Sequence, residues 1–391
     1  MEQDKLHEDR NFEVSADLPI YKTWESMKLK PELYEKIIQL NWKTPSPVQS
    51  RAIIPISSGR NILLQSQNGT GKTPTFSIGT LQRINLKSPF CQLIVLSPTR
   101  ELAIQTNDIL QSLGSNSRAC VGGNQYRKDL KALQQGGIQS ISGTPGRVLQ
   151  LIREHFIDPL NVLSVVIDEA DEMMTSLGRT VTDTLDLLKK AQRIIVTATV
   201  SDEVVGLITG YARDALRFLV PRDELTLSGV SQYYIKVKED DYKFSALIDL
   251  YQSVPIERAV IFVNTIGKSK WLRDKFIDQG FTVALANSEL STEERELIAE
   301  GVKTGETRVL IATDVWARGI DVRNVTLVIN YDIPTSVETY LHRIGRSGRF
   351  GRKGIAITIT APGDEKKIKK IENYYSSKIL PLPYDLDKLF F

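Results

Sequence analysis

Short runs of apolar, mostly β-branched residues recur along the chain, and stretches with helical periodicity separate them. In the first half these runs occupy residues 93–96, 165–167 and 194–198, and in the second half 259–263, 282–286, 308–312, 327–330 and 355–360. Their hydrophobicity is continuous rather than alternating, which is typical of strands that helices cover on both faces of a parallel sheet. The sequence therefore predicts an α/β fold.

Polar clusters follow several of these runs at the points where the predicted strands end. SPTREL follows the run at 93–96, DEAD follows 165–167, and TAT lies at the end of 194–198. In the second half NT follows 259–263 and TDVWARGID follows 308–312. Ligands of open α/β sheets bind at the carboxyl ends of the strands, so we expect these clusters to converge on common clefts.

A chain of 391 residues is long enough for two or three domains of roughly 150 residues each. The stretch VPRDELTLSGVSQ, residues 220–232, is polar and has no clear periodicity, so it separates two α/β halves. We predict a mobile tail over 1–20, a first domain over 21–220, a linker over 221–230 and a second domain over 231–391.

Composition excludes several classes of protein. A net charge of +3 is too weak to indicate nucleic-acid binding by itself. The two cysteines, Cys91 and Cys120, supply neither a disulfide framework nor the spacing of a zinc site. No apolar run reaches the ~18 residues that cross a bilayer. We therefore expect a soluble, intracellular protein with no membrane partner.

The stretch SQNGTGKT, Ser66 to Thr73, follows the apolar NILLQ and precedes a predicted helix. It fits the general phosphate-loop pattern except that Ser66 stands where that pattern has glycine. Gly69 and Gly71 permit a tight backbone whose N–H groups face phosphate, Lys72 would reach the β- and γ-phosphates, and Thr73 would hold Mg²⁺. The alternative is an ordinary glycine-rich turn. A second GKS, at 267–269, lacks the glycine-rich cradle and is predicted to begin a helix.

The sequence VVIDEAD places two acids, Asp168 and Glu169, at the end of a predicted strand. Mg²⁺ needs only one or two protein carboxylates, which Asp168 can supply. Glu169 is then placed to orient or deprotonate an attacking water. A solvated acidic turn is the alternative, but the phosphate loop favours the catalytic interpretation.

Residues 343–353 contain four arginines and a lysine, with glycines between them. Such a patch is basic enough to contact RNA, which is one interpretation. Glycine spacers also let guanidinium groups approach a triphosphate closely, as arginine fingers must. In that case ATP binds between the two domains, and hydrolysis requires their closure.

Taken together, these motifs resemble the DEAD-box RNA helicases over nearly the whole chain. TPSPVQ (44–49), PTREL, GG (122–123), TPGR (144–147), DEAD, TAT, ARGID and HRIGRSGR stand in that family's order and spacing. The resemblance implies two tandem RecA-like domains joined by a short linker, each a parallel sheet flanked by helices. It also implies ATP and Mg²⁺ as cofactors and RNA as partner.

The resemblance assigns a role to each matching residue. It implies a catalytic set of Lys72, Thr73, Asp168, Glu169, Arg346 and Arg349, with Thr73 and Asp168 as metal ligands. It implies an ATP site of Trp42, Gln49, Ser66, Gln67, Asn68, Gly69, Thr70, Gly71, Lys72, Thr73 and Asp321. Contacts to the RNA backbone would come from Pro98, Thr99, Arg100, Gly122, Gly123, Thr144, Gly146, Asn264, Arg295, Thr313 and Arg318. Coupling of nucleotide to RNA would involve Asp171, Thr197, Thr199 and His342.

Within the family, the amino-acid sequence of residues 222–244 and 328–354 is similar to that of the initiation factor four-A group. TDVWARG and QSQNGTGKT look most like the nuclear branch of that group, which serves exon-junction assembly or ribosomal-RNA processing. The resemblance implies a monomer in the nucleus or nucleolus, with a protein activator that bridges both domains. Cytoplasmic translation initiation is the alternative.

Three departures from the family pattern fall on functional positions. Pro74 replaces the usual alanine and removes an N–H that would meet the α-phosphate. Thr197 replaces serine but keeps the hydroxyl, and residues 287–292 are altered although Arg295 is retained. We predict an RNA-dependent ATPase that unwinds RNA locally and turns over more slowly than a typical member. An ATP-gated RNA clamp with rare turnover, and a scaffold that binds no nucleotide, are the alternatives.

Overall fold

The computed structural model describes residues 13–66, 70–122, 126–219, 230–253, 258–314, 325–347 and 354–386. The chain divides into two compact units, Met1–Pro221 and Arg222–Phe391. The division falls at the start of the predicted linker, where residues 220–229 lie outside the described part of the chain.

The first unit is built on a sheet with helices on both faces. Its strands are β1 Glu13–Val14, β2 Ile62–Gln65, β3 Leu93–Leu96, β4 Ser117–Cys120, β5 Ser140–Gly143, β6 Ser164–Ile167, β7 Gln192–Thr197 and β8 Leu216–Leu219. Its helices are α1 Pro31–Gln39, α2 Gln49–Ser57, α3 Lys72–Arg83, α4 Arg100–Ser112, α5 Tyr126–Gln135, α6 Pro145–Arg153, α7 Ala170–Leu187 and α8 Asp202–Tyr211. The strand order is β1-β8-β2-β7-β6-β3-β5-β4, and all pairs except β1–β8 are parallel.

Both faces of this sheet are buried, which explains the continuous apolar runs. Along β3, Ile94 and Leu96 belong to one core cluster, whereas Leu93 and Val95 belong to the other. Neighbouring residues of a strand point to opposite faces, so each strand needs apolar side chains at every position. The predicted parallel α/β architecture is confirmed.

Glu13 and Val14 lie within the segment for which the sequence predicts a mobile tail, yet they form β1. They pair antiparallel with Leu219 and Phe218 of β8. This pairing covers the edge of the sheet, where the backbone groups of β8 would otherwise lack partners. Residues 1–12 of the predicted tail lie outside the described residues.

The second unit repeats the architecture. Its strands are β9 Val230–Lys236, β10 Ala259–Phe262, β11 Ala284–Ala286, β12 Val309–Ala312, β13 Leu327–Asn330, β14 Gly354–Thr360 and β15 Leu380–Pro381. Its described helices are α9 Lys243–Ser253, α10 Ile266–Asp278, α11 Thr292–Thr304, α12 Val337–Ile344 and α13 Glu365–Tyr375. The strands are parallel in the order β11-β12-β10-β13-β14-β9-β15.

The second GKS lies in the first turn of α10, as the sequence predicts. The Thr265 hydroxyl caps this helix by accepting a hydrogen bond from the Lys268 backbone N–H at 3.2 Å. Among the described residues, no helix combines the length and the apolar character needed to cross a membrane.

Candidate functional site

The sheet order of the first unit places three motifs side by side. The phosphate loop follows β2, TAT ends β7 and DEAD follows β6, and these strands are consecutive neighbours. The Ser66 N–H donates to the Thr197 carbonyl at 3.1 Å, and Gln65 Nε2 donates to the Ala198 carbonyl at 3.4 Å. The carboxyl ends of β2, β7 and β6 therefore form one continuous edge.

Lys72 is held in place by a residue of the phosphate loop itself. Gly71 has φ 90°, in the left-handed region, and lies directly before α3. Lys72 is only 8% exposed, and its ammonium group donates to the Ser66 carbonyl at 2.8 Å. The Ser66 and Thr70 hydroxyls are 2.6 Å apart. Gln67, Asn68 and Gly69 lie outside the described residues.

Gln49 lies against the phosphate loop, although the two are far apart in sequence. Its Oε1 accepts a hydrogen bond from the Ser46 N–H at 2.7 Å, and the Ser46 hydroxyl donates to the Thr70 carbonyl at 3.0 Å. Trp42, the other predicted adenine-site residue, is half-buried and packs on the apolar core, and its carbonyl accepts from Trp24 Nε1 at 2.8 Å. Ser46 is a bridging residue that sequence reasoning missed, although it lies within the quoted TPSPVQ.

Gly71 cannot be replaced without disturbing this contact. A Cβ built on Gly71 would lie 2.8 Å from Gln49 Nε2, and its positive φ is unfavourable for other residues. We expect Gly71→Ala to weaken Mg·ATP binding at least about tenfold, because a left-handed non-glycine residue costs on the order of 1–3 kcal/mol before the clash is counted. Isothermal titration with Mg·ATP measures this. Gly114→Ala, at another positive-φ glycine (φ 92°) far from the loop in sequence, is the control. Equal affinities of the two variants would contradict the prediction.

The DEAD segment buries an acid beside Lys72. Asp168 is 3% exposed, its N–H donates to the Leu96 carbonyl at 3.0 Å, and its Oδ1 accepts from the Glu169 N–H at 3.0 Å. Burial and, to a smaller extent, the charge of Glu169 together raise the pKa of Asp168 to about 7, against the opposing effect of Lys72. A buried carboxyl of this kind fits a divalent cation, whose charge would favour its ionised form.

Glu169 is held in an unusual backbone conformation at the start of α7. Its φ is 52° and its ψ is 53°, the left-handed region that residues other than glycine rarely adopt. Such strain costs roughly 1–3 kcal/mol and is concentrated at functional sites.

Two of the predicted coupling residues are joined directly. The Thr199 hydroxyl and N–H both donate to Oδ2 of Asp171, at 2.6 Å and 3.2 Å. The Thr197 hydroxyl donates to the Thr199 carbonyl at 2.6 Å. The threonine that replaces serine at 197 thus uses its hydroxyl to fix the TAT backbone. His342 belongs to the second unit, where it is buried in α12.

The predicted RNA contacts of the first unit lie at the ends of the other strands, β3, β4 and β5. Thr99 caps α4 by accepting from the Leu102 N–H at 3.3 Å, and Pro98 and Arg100 flank it. Thr144 precedes α6. Apart from its neighbours in the chain, a Cβ added to Gly122 or Gly146 would meet no described atom within 4 Å, and neither residue has a positive φ. The described protein therefore does not itself require glycine at these two positions. Gly123 lies outside the described residues.

In the second unit, the exposed Asn264 bonds to the buried Arg343, in a network that sequence reasoning missed in part. Arg343 is 2% exposed and donates to Asn264 Oδ1 at 2.7 Å and to the Asp332 carbonyl at 2.7 Å. It also forms an ion pair with Asp314 at 2.5 Å. Asn264, a predicted RNA contact, is fixed further by donating Nδ2 to the Ile333 carbonyl at 2.9 Å. Arg343 therefore has a structural role.

The remaining candidates of the second unit are placed as follows. Thr313 is buried at the end of β12, and the Arg346 Nε donates to the His342 carbonyl at 3.3 Å. Arg295 donates to the carbonyls of Leu290 and Ser288, at 3.1 Å and 3.0 Å, so it packs on the altered segment 287–292. The predictions for Arg318, Asp321 and Arg349 fall on residues outside those that the structure describes.

Comparisons with known proteins agree with this arrangement. Residues 46–207 match the family described as DEAD/DEAH box helicase, and residues 242–351 match the helicase conserved C-terminal domain. The chain is 47% identical over 392 residues to "ATP-dependent RNA helicase FAL1" of Meyerozyma guilliermondii, covering 98% of each chain. It is 44% identical to the protein of the same name in Saccharomyces cerevisiae, covering 97% of each.

Solved structures give the same result. The chain matches "S. cerevisiae Dbp5 bound to RNA and ADP BeF3" with a TM-score of 0.86 and 33% identity, over 94% of this chain and 97% of that one. Its likeness to Mss116p bound to ssRNA and AMP-PNP, at 20% identity, has a TM-score of 0.81 over 93% of this chain and 79% of that one, and concerns the fold. By its motifs, its two RecA-like units and relatives of this identity, the chain belongs to the DEAD-box family of ATP-dependent RNA helicases.

Proposed function

We propose that this helicase hydrolyses ATP at the edge formed by β2, β7 and β6, and uses the cycle to clamp and locally unwind RNA. The observation that carries the proposal is the placement of the buried Lys72 directly after the left-handed Gly71, near enough to the buried Asp168 to lower the pKa of its carboxyl. Burial of an ammonium group and a carboxyl costs free energy, and a phosphate ligand and its cation would offset part of that cost.

In this proposal Thr73 and Asp168 hold Mg²⁺, and the remaining loop residues and Lys72 hold the phosphates. When bound there, the metal would supply positive charge next to the phosphates. Trp42 and Gln49 hold the adenine, and Asp321 the ribose. The position of Gln49 against Gly71 supports this assignment, since it links base recognition to the loop.

Glu169 orients the attacking water and takes its proton, while Arg346 and Arg349 stabilise the charge that develops on the phosphates. Asp171, Thr197, Thr199 and His342 transmit the state of the nucleotide to the RNA-binding surface. The bonds from Thr199 to Asp171 support this role within the first unit, because they tie the DEAD and TAT segments together.

RNA is held through its sugars and phosphates, so recognition does not depend on sequence, and 2′-hydroxyl contacts favour RNA over DNA. The proposed contacts of the first unit are Pro98, Thr99, Arg100, Gly122, Gly123, Thr144 and Gly146, and those of the second are Asn264, Arg295, Thr313 and Arg318. The absence of any described neighbour that requires glycine at 122 and 146 supports a close approach of RNA there.

The pathway that we propose is nuclear RNA processing such as pre-rRNA maturation, with the protein in the nucleus or nucleolus. The resemblance to the nuclear branch supports it, as does similarity to the helicases named FAL1. We also propose an activating protein that bridges both units; one Dbp5 structure is described as bound to gle1 and ip6.

Steady-state ATP hydrolysis with and without single-stranded RNA tests the proposal. We expect RNA to raise turnover, and an all-deoxy strand of the same sequence to raise it less, because it lacks the 2′-hydroxyls. The matched variant is Lys72→Met, which keeps much of the side-chain length but removes the ammonium group. Turnover by Lys72→Met equal to that of the native protein would contradict the assignment of the site.

A slow-turnover, ATP-gated RNA clamp is a second candidate, and Pro74 favours it because this residue lacks a backbone N–H at the phosphate loop. The clamp predicts a complex with RNA and ATP whose lifetime exceeds the time of one turnover of a typical helicase. Dissociation of labelled RNA after a chase, measured with ATP and with a non-hydrolysable analogue, distinguishes the two. Equal, slow rates favour the clamp, and faster release with ATP favours the cycling enzyme.

A further inference from the structure

A buried carboxylate joins two loops of the first unit that lie outside the nucleotide site. Asp129, in the first turn of α5, is 0% exposed. Its Oδ1 accepts from Arg118 of β4, at 3.0 Å from Nε and 2.9 Å from Nη2. Its Oδ2 accepts from Arg147 of α6 at 2.7 Å. One acid therefore bridges two arginines on different elements.

The three bridged residues lie close in the chain to two of the proposed RNA contacts, Gly122 and Gly146. Arg118 lies before the β4–α5 connection and Asp129 lies after it, so their bond closes the base of the connection that contains Gly122. Arg147 directly follows Gly146 in the first turn of α6, next to the loop at Thr144 that follows β5. The Thr144 N–H also donates to the Cys120 carbonyl at 3.2 Å, which links the same two loops through the backbone.

The arginine of α6 is constrained further by an aromatic ring. The Arg147 guanidinium lies 4.8 Å from the centre of the Tyr126 ring, and the Tyr126 hydroxyl donates to Glu154 near the end of α6. A planar cation that stacks on a ring and donates to a buried carboxylate is fixed in one orientation. The loop at Thr144, together with Gly146 in the first turn of α6, is thereby fixed relative to Gly122.

We infer that Asp129 is a positioning residue for RNA, which sets the spacing between the loop at Gly122 and the start of α6, where Thr144 of the preceding loop and Gly146 lie. The inference rests on the RNA contacts proposed above for those loops. Phosphates of one RNA strand have a fixed spacing, so two loops can hold neighbouring phosphates tightly only if their own spacing is fixed beforehand. Asp129 itself does not contact RNA.

Asp129→Asn is the direct test, because it keeps the shape but replaces one acceptor oxygen by a donor that faces an arginine. We expect the RNA concentration for half-maximal ATPase stimulation to rise about tenfold, as lost hydrogen bonds between charged groups predict. Turnover at saturating RNA, and the protection against thermal unfolding by Mg·ATP without RNA, should stay at native values. If Asp129 had a purely structural role, Asp129→Asn would lower the unfolding temperature. The RNA concentration for half-maximal stimulation, measured well below that temperature, would then stay at the native value.

Three further variants keep the test decisive. Arg118→Gln removes the ion pair between Asp129 and Arg118, whose side chain is 27% exposed, and should raise the RNA concentration for half-maximal stimulation about threefold. Arg118→Lys keeps the positive charge and should bring that concentration most of the way back to the native value. Arg153→Gln, on the same helix α6 as Arg147, is the matched control: it breaks the exposed ion pair to Asp183 of α7 and should leave the RNA requirement unchanged.

The outcomes separate the inference from the proposed function. If the native protein shows no RNA stimulation, the proposed function itself fails. If the native protein is stimulated and Asp129→Asn needs no more RNA than native, the positioning role is overturned. An Asp129→Asn variant that needs less RNA would also overturn the positioning role. In that case Asp129 would be keeping the two arginines from binding RNA. If Asp129→Asn does not fold, an unchanged RNA requirement in Arg118→Gln overturns the inference.

Discussion

Glu169→Gln is expected to bind Mg·ATP and RNA with native affinity and to lose at least about a hundredfold in turnover, the range that general-base catalysis supplies. Glutamine has the same shape as glutamate but cannot take a proton from water. The substitution leaves Asp168 and Lys72 unchanged, so the groups proposed to hold the metal and the phosphates remain. The backbone of Glu169, with φ 52°, is no harder for glutamine to adopt than for glutamate.

Two measurements check this expectation together. Single-turnover hydrolysis reports the chemical step, and fluorescence anisotropy of labelled RNA with a non-hydrolysable ATP analogue reports binding. Glu172→Gln is the matched control, since Glu172 is a neighbouring acid on the first turn of α7 to which no catalytic role is assigned. Native turnover in Glu169→Gln would show that another group activates the water. Loss of RNA binding in that variant would instead place Glu169 among the groups that stabilise the bound state.

The strands that could be predicted from the sequence are those whose two faces are both apolar. The strands β4 and β5 do not appear as apolar runs, because serines occupy buried positions in both, and Ser117 of β4 and Ser140 of β5 bond to other polar groups. The Ser115 and Ser140 hydroxyls are 2.8 Å apart, and the Ser117 hydroxyl donates to Asn107 Oδ1 at 2.9 Å. A buried hydroxyl with a partner costs little, so such a strand can be as buried as its neighbours without an apolar sequence.

The same limit applies to the site. Glycine-rich and acidic motifs are visible in sequence because their chemistry requires those residues at fixed spacing. The sequence does not show which of the arginines in 343–353 is structural, because that depends on hydrogen-bond acceptors from elsewhere in the chain. Arg343 is fixed by Asp314 and Asn264, which precede it by 29 and 79 positions. Spacing alone could not distinguish this structural arginine from a candidate finger.

Pro74 is the residue at which helix stability and nucleotide binding make different demands. The structure continues α3 through it without losing a helical bond: the Thr75 N–H donates to the Gly71 carbonyl at 3.0 Å, and an N–H at position 74 would have no partner inside the helix. Proline nevertheless disfavours helical angles in the residue before it, and that residue is Thr73, the proposed metal ligand, which α3 includes. The helix therefore tolerates the proline, and the expected cost falls on the nucleotide.

Pro74→Ala is accordingly expected to tighten Mg·ATP binding by roughly tenfold to a hundredfold, because it restores a hydrogen bond to a charged phosphate worth about 1.5–3 kcal/mol. Without nucleotide the same change should lower stability by about 0.4–1 kcal/mol, since alanine gives the unfolded chain more freedom. The two effects have opposite signs, so thermal unfolding of native and variant protein should cross as Mg·ATP is added. Pro159→Ala, at the start of an exposed single turn, is the control and should show only the loss of stability. Unfolding curves that shift in parallel for both variants would mean that the loop already satisfies the α-phosphate without this N–H, and the slow-turnover clamp would lose the observation that favours it.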